Sequence, residues 1–306
     1  MKLLAPMLLS ALIATACSKG GSDDTNPPTG VKTPTYQFTI TNWDDGWTST
    51  IKENWAEVNK GTVKVLLHYP NAATEISADP QPLVNNARNL LSASRYSNLQ
   101  NFTVASPSLD FERAYLGYGA ATDIATSKTV FVALFKKGKS GWIEFVTPDK
   151  ATFVAQFGLD PVTIDWSTSG SVFNSLRVMA NYNRFAVAAT DLESTGKWTN
   201  NFGANTFYYS LYTGLGVGMS SYSATEEFIF SSKMKYQWQL FTANSAGGGT
   251  TFAKARSAGN YQLKDNWNAY FSDIEGVPKT YPVWFAATKT GRVLFIDGNP
   301  YTWVGQ

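Results

Sequence analysis

Cysteine and histidine are nearly absent from this chain, which has one of each among its 306 residues. A single thiol cannot form an internal disulfide, so the fold has to be held by packing alone. Counting also excludes a metal site built from several histidine and cysteine ligands. The sequence therefore predicts neither a disulfide framework nor a metal site, and no motif in it predicts a cofactor.

Charge is the second shortage, because only 16% of the residues are charged, against about 25% in an average globular protein. The net charge of +2 does not indicate the strongly basic surface that binds nucleic acid, so no nucleic-acid partner is expected. Aromatic residues, in contrast, make up 14% of the chain and include 10 tryptophans. Beyond the N-terminal segment, no apolar run is as long as a membrane helix. This composition favours a β-rich protein that works outside the cytoplasm.

The N-terminal segment carries one positive charge, Lys2, followed by an uncharged apolar run up to Ala16. The run is too short to cross a bilayer as a helix and is typical of a secretory signal. Its end, Ile-Ala-Thr-Ala before Cys17, resembles the lipobox of bacterial lipoproteins, in which the cysteine is acylated and becomes the first mature residue. The resemblance implies a signal peptide over residues 1–17, lipid attachment at Cys17 and a membrane as partner.

The residues after Cys17, Ser-Lys-Gly-Gly-Ser-Asp-Asp, resemble the acidic export tag of surface lipoproteins of the Bacteroidota. That resemblance implies an outer-membrane lipoprotein exposed at the cell surface. A lipoprotein that faces the periplasm and an ordinary secreted protein are the alternatives. Residues 18–35 contain hardly any apolar side chain and cannot offset the entropy of ordering, so they are predicted to be a disordered tether.

Residues 36–191 combine strand and helix patterns, which predicts an α+β domain made of an antiparallel sheet with helices. Residues 36–40 alternate and predict the first strand. A helical face recurs from Pro82 to Ser94. Thr147 as cap, with Pro148 at the first helical position, predicts a second helix that ends at Gly158. A further helix is predicted from the spacing of four residues, Phe173, Leu176, Met179 and Ala180.

Residues 192–306 have almost purely strand and turn patterns, with no helical spacing between them. Short strands at regular intervals, separated by turns such as the three glycines at 247–249, are typical of an antiparallel barrel or sandwich. An all-β domain is therefore predicted from residue 192 to the last residue.

The all-β region opens with Gly196-Lys197-Trp198, and Arg292 begins its last strong strand. This pair resembles the lipocalin arrangement, in which a Gly-x-Trp on the first strand is covered by an arginine from the final strand. The guanidinium would stack on the indole and cap the closed end of the barrel. The resemblance covers about the last third of the chain and implies a lipocalin-like antiparallel β-barrel, with Gly196, Trp198 and Arg292 closing it.

A second resemblance covers nearly the whole mature chain. The run Phe-Ala-Val-Ala-Ala-Thr-Asp-Leu from Phe185, followed by Gly-Lys-Trp, resembles an uncharacterised group of Bacteroidota lipoproteins. This group implies no chemistry for the chain, so a function has to be argued from the residues themselves.

His68 is the candidate for a catalytic base. Along its strand it shares a face with Lys64 and Leu66, and the opposite face is apolar. Nucleophilic catalysis would also need a nucleophile and an orienting carboxylate, and the chain has no Gly-x-Ser-x-Gly elbow. His68 is therefore interpreted as a half-exposed strand histidine, and no catalytic residue is predicted.

Acidic residues offer a weaker candidate site, because an all-carboxylate Ca²⁺ site is compatible with the composition. The local pairs are Asp44 with Asp45, and Asp273 with Glu275. Neither pair matches the spacing of an EF-hand. Both are interpreted as turn residues, and no metal ligand is assigned.

Aromatic side chains are the strongest binding signal in the all-β region. An eight-stranded barrel is just wide enough to be filled by its own side chains or to hold one small ligand. The sequence therefore leaves two alternatives for the barrel interior, a packed core and a ligand cavity. Six aromatic residues that alternation would place on inward faces are the candidate ligand-binding residues: Phe228, Phe230, Tyr236, Trp238, Trp267 and Phe271.

Three alternative hypotheses for the function are compatible with these patterns. The preferred hypothesis is a lipid-anchored envelope protein that binds a small apolar or glycan ligand without catalysing a reaction. The second is a structural or interaction lipoprotein without a ligand cavity, whose protein partners are not specified by the sequence. The third is an envelope hydrolase, which would require two carboxylates facing each other in a cleft.

Overall fold

The computed structural model describes residues 40–75, 78–106, 108–109, 112–138, 141–163, 173–193, 196–209 and 216–305. The predicted signal, Cys17, the predicted tether and nearly all of the predicted strand 36–40 lie outside these ranges. Within the described ranges, no helix is both long and apolar enough to reach across a bilayer.

Nine strands in the first half of the described chain form one antiparallel sheet. Eight of them lie in the order β1-β2-β3-β4-β9-β8-β7-β5, and β6 pairs with β7 beyond the end of β5. The strands are β1 (Thr41–Asn42), β2 (Thr48–Ile51), β3 (Trp55–Lys60), β4 (Val63–His68), β5 (Tyr96–Ala105), β6 (Ser108–Leu109), β7 (Glu112–Asp123), β8 (Thr129–Lys137) and β9 (Ile143–Thr147).

Both faces of this sheet are covered, which explains the continuous apolar runs in its central strands. In β4, Val63, Val65 and Leu67 belong to the main hydrophobic core. The alternate residues Leu66 and His68 are buried on the opposite face. Because successive strand residues point to opposite faces, β4 separates two layers of packing, as the alternation predicted.

Helix α1 (Pro80–Leu91) covers that opposite face, where Leu83, Val84 and Ala87 pack against Leu134 of β8 and Trp142. The helix predicted from Pro82 to Ser94 is confirmed, with both ends two or three residues earlier. Leu90, near the end of the helix, is exposed.

Helix α2 (Lys150–Phe157) packs Phe153 and Phe157 into the main core. The cap predicted at Thr147 is wrong: Asp149 is the N-cap, and its Oδ1 accepts a hydrogen bond of 2.7 Å from the Thr152 amide. Thr147 is instead the buried last residue of β9. The predicted end is confirmed, because Gly158 adopts the left-handed conformation with φ of 67°, which glycine tolerates best.

The third predicted helix is present but broken into two short pieces. Helix α3 (Asn174–Arg177) continues directly into a 3₁₀ segment, Val178–Tyr182. Leu176 and Met179 are buried, as the spacing predicted, whereas Ala180 is exposed. Helix α4 (Ala189–Leu192) follows at the predicted boundary between the two regions.

Eight further strands form a closed antiparallel barrel in simple up-and-down order, with the first strand paired to the last. The fold class predicted from the sequence is therefore confirmed: an antiparallel sheet with a few helices, followed by an all-β barrel. The barrel strands are β10 (Gly196–Tyr209), β11 (Gly216–Ser231), β12 (Lys235–Ala246), β13 (Gly249–Leu263), β14 (Asn268–Ile274), β15 (Val277–Thr288), β16 (Gly291–Ile296) and β17 (Asn299–Gly305).

Strands β10 to β13 extend past the barrel as a four-stranded sheet, here called the projection (residues 200–209, 216–225 and 239–258). Among the described residues, the pairing of β10 with β17 covers only residues 196–199 of β10. The pairing of β13 with β14 covers only Tyr261 to Leu263 of β13. The outer parts of β10 and β13 are thus free edges. Four large side chains are exposed on the projection: Phe202, Met219, Tyr222 and Phe252.

The sheet and the barrel share one hydrophobic core. The backbones of Phe185 and Phe285 exchange two hydrogen bonds of 2.9 Å. Trp43, beside β1, stacks on Trp267, beside β14, with ring centroids 5.1 Å apart and planes 13° from parallel. These contacts bring the turn between β15 and β16 close to the end of β4, where the candidate site lies.

Candidate functional site

A buried carboxylate, Glu144, is the second residue of β9 and is fully shielded from solvent. It faces α1, because its register partner on β4 is Leu66. Its Oε2 accepts hydrogen bonds of 2.9 Å from both His68 Nε2 and Ser92 Oγ. The same oxygen lies 2.5 Å from Arg95 Nη2, and Oε1 accepts a bond of 2.8 Å from the Tyr96 hydroxyl.

Glu144 is ionised despite this burial. Desolvation alone would raise its pKa, but the hydrogen bond and charge of His68, together with Arg95, outweigh it and lower the pKa to about 2. Burial and the adjacent Glu144 carboxylate raise the pKa of Tyr96 well above its usual value, so this hydroxyl stays protonated. Since a carboxylate only accepts hydrogen bonds, Nε2 of His68 must carry a hydrogen.

The interpretation of His68 as a half-exposed strand residue is wrong. His68 is 6% exposed, because α1 and the chain after it cover this face of the sheet. The carboxylate that was missing from its sequence neighbourhood comes from a strand 76 residues away. Ser92 binds the carboxylate rather than the imidazole, so the contacts do not form a relay from a hydroxyl through His68 to Glu144.

A pocket of about 320 Å³ adjoins this cluster where β4 ends. It is lined on the sheet side by Trp55, His68 and Arg95, and on the barrel side by Lys289, from the turn between β15 and β16. The Arg95 guanidinium lies 4.6 Å from the centroid of the Trp55 ring, within the range of a cation–π contact. Sheet and barrel thus both contribute to this pocket.

A larger pocket of about 610 Å³ continues from the first, and Tyr69, Asn71 and Leu91 line both. Its floor includes Trp142 and the buried Lys136, which is 4% exposed. The Lys136 ammonium lies 3.0 Å from the Glu75 carboxylate. We call the two pockets together the β4 groove. Each lies within the size range of small-molecule sites.

Three N–H groups of residues that line the β4 groove have no acceptor among the described residues. They are the indole Nε1 of Trp55, the indole Nε1 of Trp142 and Nε of Arg95. Buried donors are nearly always paired, so each orphan needs an explanation. All three atoms are shielded from solvent, so these unmet hydrogen bonds lie inside the walls and are not exposed in the groove.

Four of the six predicted ligand-binding residues, Phe228, Phe230, Tyr236 and Phe271, meet inside the barrel. Their rings contact one another, with centroid distances from 5.0 to 6.4 Å. All four are almost completely buried. They fill this part of the barrel, which is the packed-core alternative that the sequence left open; a ligand-binding role for them stays a prediction.

The other two candidates differ in position. Trp238 is buried nearer the projection, where its indole donates a bond of 2.7 Å to Glu226 Oε1. The second oxygen of that carboxylate accepts a bond of 2.5 Å from Tyr301. Trp267 precedes β14 and stacks on Trp43 at the junction with the sheet. Trp238, paired with Phe228 across β11 and β12, thus adjoins the four core rings in the same hydrophobic core, whereas Trp267 lies apart from them.

The barrel-closing residues do come together. The guanidinium carbon of Arg292 lies 5.9 Å from the Trp198 ring centroid and 3.8 Å from that of Phe285. Arg292 also binds Asp191 through an ion pair of 3.1 Å and a backbone hydrogen bond of 2.8 Å. Gly196 lies where a side chain would meet Trp303 and the backbone of Val304. The arginine thus covers a Trp–Phe pair, with the phenyl ring nearer than the predicted indole.

The predicted turn carboxylates have local partners. Asp45 accepts a hydrogen bond of 3.3 Å from the Trp47 amide, and Asp273 accepts one of 2.8 Å from the Gly276 amide. In the described part of the chain, no cluster of three or more His, Cys, Asp or Glu side chains could hold a metal ion.

Sequence reasoning missed Glu144, Ser92, Arg95 and Tyr96. The available signal was an acidic residue inside the run Trp-Ile-Glu-Phe-Val, because a charge in the middle of a buried strand requires a partner. That signal marks Glu144 but does not identify its partners.

Comparison of the chain with protein-family models, curated proteins and solved structures found no match.

Proposed function

We propose that this chain is a lipid-anchored protein of the bacterial envelope that binds a glycan-like ligand in the β4 groove and does not transform it. The observation that carries the proposal is the pair of adjoining pockets, whose walls carry aromatic rings beside the partly exposed side chain of Arg95. Sugar hydroxyls and carboxylates supply acceptor oxygens to the N–H groups of such a guanidinium. Aromatic rings such as Trp55 and Tyr69 add flat apolar surfaces, and the amide of Asn54 adds further hydrogen-bonding capacity.

A binding role is favoured over hydrolysis by the state of the buried carboxylate. Both oxygens of Glu144 are occupied by donors, and its low pKa removes it as a general acid at neutral pH. The contacts of the described residues bring no second carboxylate to it, so the hydrolase hypothesis gains no support.

The groove proposal is tested by filling the smaller pocket from its rim. Ser94 is exposed and lines that pocket, so phenylalanine there would obstruct it with little effect on the core. Ser97 is exposed on β5 outside the pocket, and Ser97→Phe is the matched control. Wild type and Ser97→Phe should bind the same members of an immobilised panel of neutral and acidic oligosaccharides, and Ser94→Phe should lose them. Undiminished binding by Ser94→Phe, or no binding by wild type, would contradict the proposal.

The membrane anchor rests on Cys17 and the resemblance of its surroundings to a lipobox. The up-and-down order of the eight strands, with Arg292 near Trp198, supports the likeness to lipocalins. Cys17→Ala should move the protein from the membrane fraction to the soluble fraction and abolish its labelling by radioactive palmitate. Protease treatment of intact cells then separates surface exposure from a periplasm-facing location. Unchanged fractionation of Cys17→Ala would argue against lipid attachment.

A second candidate function, contact with other envelope proteins, is favoured by the projection. Its free edges and the exposed Phe202 and Tyr222, whose ring centroids are 6.1 Å apart, offer a surface for a protein partner. The double variant Phe202→Ser/Tyr222→Ser should lose cross-linked species in intact cells if this surface is an interface. An unchanged cross-linking pattern would leave the groove as the functional site.

A further inference from the structure

We propose that the smaller pocket of the β4 groove accepts the acidic group of its ligand, so that the ligand class is acidic oligosaccharides rather than neutral ones. This inference rests on the proposed function of the groove. It adds a charge preference that the sequence does not indicate, because the net charge of the whole chain is only +2.

The charges around the pocket carry the argument. Its titratable lining residues are His68, Tyr69, Arg95 and Lys289, and no carboxylate lines it among the described residues. Glu144 lies behind the wall without solvent exposure, and its single negative charge faces both Arg95 and His68. Lys289 is exposed and has no ion-pair partner in the described part of the chain. An anion in the pocket would therefore meet a net positive charge.

The hydrogen-bonding geometry points the same way. Arg95 lines this pocket and its side chain is 24% exposed, so part of it is open to a ligand. Glu144 and the Trp55 ring hold Arg95 in place, through contacts of 2.5 Å to the carboxylate and 4.6 Å to the ring centroid. A guanidinium that is already oriented loses little entropy on binding an anion, and hydrogen bonds from its N–H groups to a carboxylate are charge-assisted.

The larger pocket differs in a way that sets the direction of the ligand. Its cation, Lys136, already has Glu75 as a partner at 3.0 Å, and its walls are largely apolar and aromatic. Since one positive charge there is already neutralised, the uncompensated charge lies at the Lys289 end. The acidic group should therefore bind in the smaller pocket, and the remaining sugar rings should extend towards Trp142.

The test compares trigalacturonic acid with its neutral counterpart, galactotriose, by isothermal titration calorimetry on the purified mature chain. We expect the acidic trimer to bind about tenfold more tightly at low ionic strength, with most of the difference lost at about 1 M salt. Lys289→Gln should weaken the acidic trimer about fivefold and leave galactotriose unchanged. Lys233→Gln, at an exposed turn lysine between β11 and β12, removes the same charge outside the groove and should change neither affinity.

The outcomes separate this inference from the function on which it rests. Equal affinities of the two trimers would overturn the charge preference and keep the groove as a glycan site, whereas no binding of either trimer would overturn both. If inorganic phosphate bound as tightly as the acidic trimer, recognition would be of a free anion and the proposal would fail. Equal effects of Lys289→Gln and Lys233→Gln would also overturn it, because the attraction would then come from net charge and not from the pocket.

Discussion

Replacing Glu144 with glutamine should lower the free energy of unfolding at neutral pH. It should also make that free energy depend less on pH in acid. The variant keeps the size of the side chain and removes the charge that His68 and Arg95 face. The fall of the Glu144 pKa from 4.5 to about 2 corresponds to ~3 kcal/mol of stability. Removing one partner of a buried ion pair typically costs about 3–5 kcal/mol, which agrees with that figure.

The sign of the pH dependence follows from the direction of the pKa change. A carboxyl group whose pKa is lower in the folded state stabilises the fold fully above its unfolded pKa. That contribution of Glu144 disappears as the pH falls from 4.5 towards 2. The wild type should therefore lose ~3 kcal/mol over this interval through this residue, and Glu144→Gln should lack that component of the loss.

The assay is urea unfolding followed by tryptophan fluorescence, at a series of pH values from neutral to acidic. Glu275→Gln is the control, because Glu275 is exposed and its ion pair with Lys279 at 3.3 Å spans a surface turn. This control should change stability little and keep the acid dependence of the wild type. If Glu144→Gln were as stable as Glu275→Gln at neutral pH, the account of a buried, ionised carboxylate held by four donors would be wrong.

Three further substitutions test the packing of the barrel and the sheet. Gly196→Ala would place a methyl group 2.7 Å from Trp303 Nε1 and should cost about 1–3 kcal/mol in urea unfolding. Gly117→Ala would drive a methyl group into Val84 of α1 and lie 2.6 Å from a carbon of Phe102; it should lower the melting temperature by calorimetry, through displacement of the helix. Arg292→Gln removes a buried guanidinium from its ion pair and backbone hydrogen bond with the half-buried Asp191 and should cost about 1–3 kcal/mol, again measured by urea unfolding.

A common control serves the two glycine variants. Gly203 lies on β10 like Gly196, but an added methyl group would have its nearest described neighbour 3.7 Å away. Gly203→Ala should therefore leave both the unfolding free energy and the melting temperature nearly unchanged. Equal effects at Gly203 and Gly196 would contradict the close approach of Trp303. For Arg292, a full recovery of stability in Arg292→Lys would indicate that charge alone, without the planar group over Phe285, is sufficient.

The antiparallel sheet and the barrel could be predicted because alternation and turn residues are local properties. In β4, three apolar residues on one face and His68 on the other follow directly from a period of two. The projection was not predicted at its full length. Its strands contain many Ser, Thr, Asn and Ala residues, and the side chains described on them are exposed or half-buried, so no apolar alternation marks them.

The candidate site could not be predicted, because it joins parts of the chain that are distant in sequence. Glu144 meets Ser92 across 52 residues and His68 across 76. Lys289 reaches the same pocket from the barrel. Only the packing of α1 on the sheet and of the barrel against its edge decides these contacts.

The helix cap at Asp149 is a smaller example of a feature that the local sequence does not decide. Thr147 and Asp149 are both good caps, and Thr147 precedes a proline in the manner of a helix start. The outcome was decided by β9, which continues through Thr147 and buries it, so the helix begins two residues later.

The stacked pair Trp43 and Trp267 gives the protein a spectroscopic signal of its own. Two indoles 5.1 Å apart and nearly parallel are close enough for their electronic transitions to couple, which produces paired bands of opposite sign in circular dichroism. One ring lies beside the sheet and the other beside the barrel, so the bands vanish whenever the two halves separate. The docking of the two halves can thus be followed without attaching a dye.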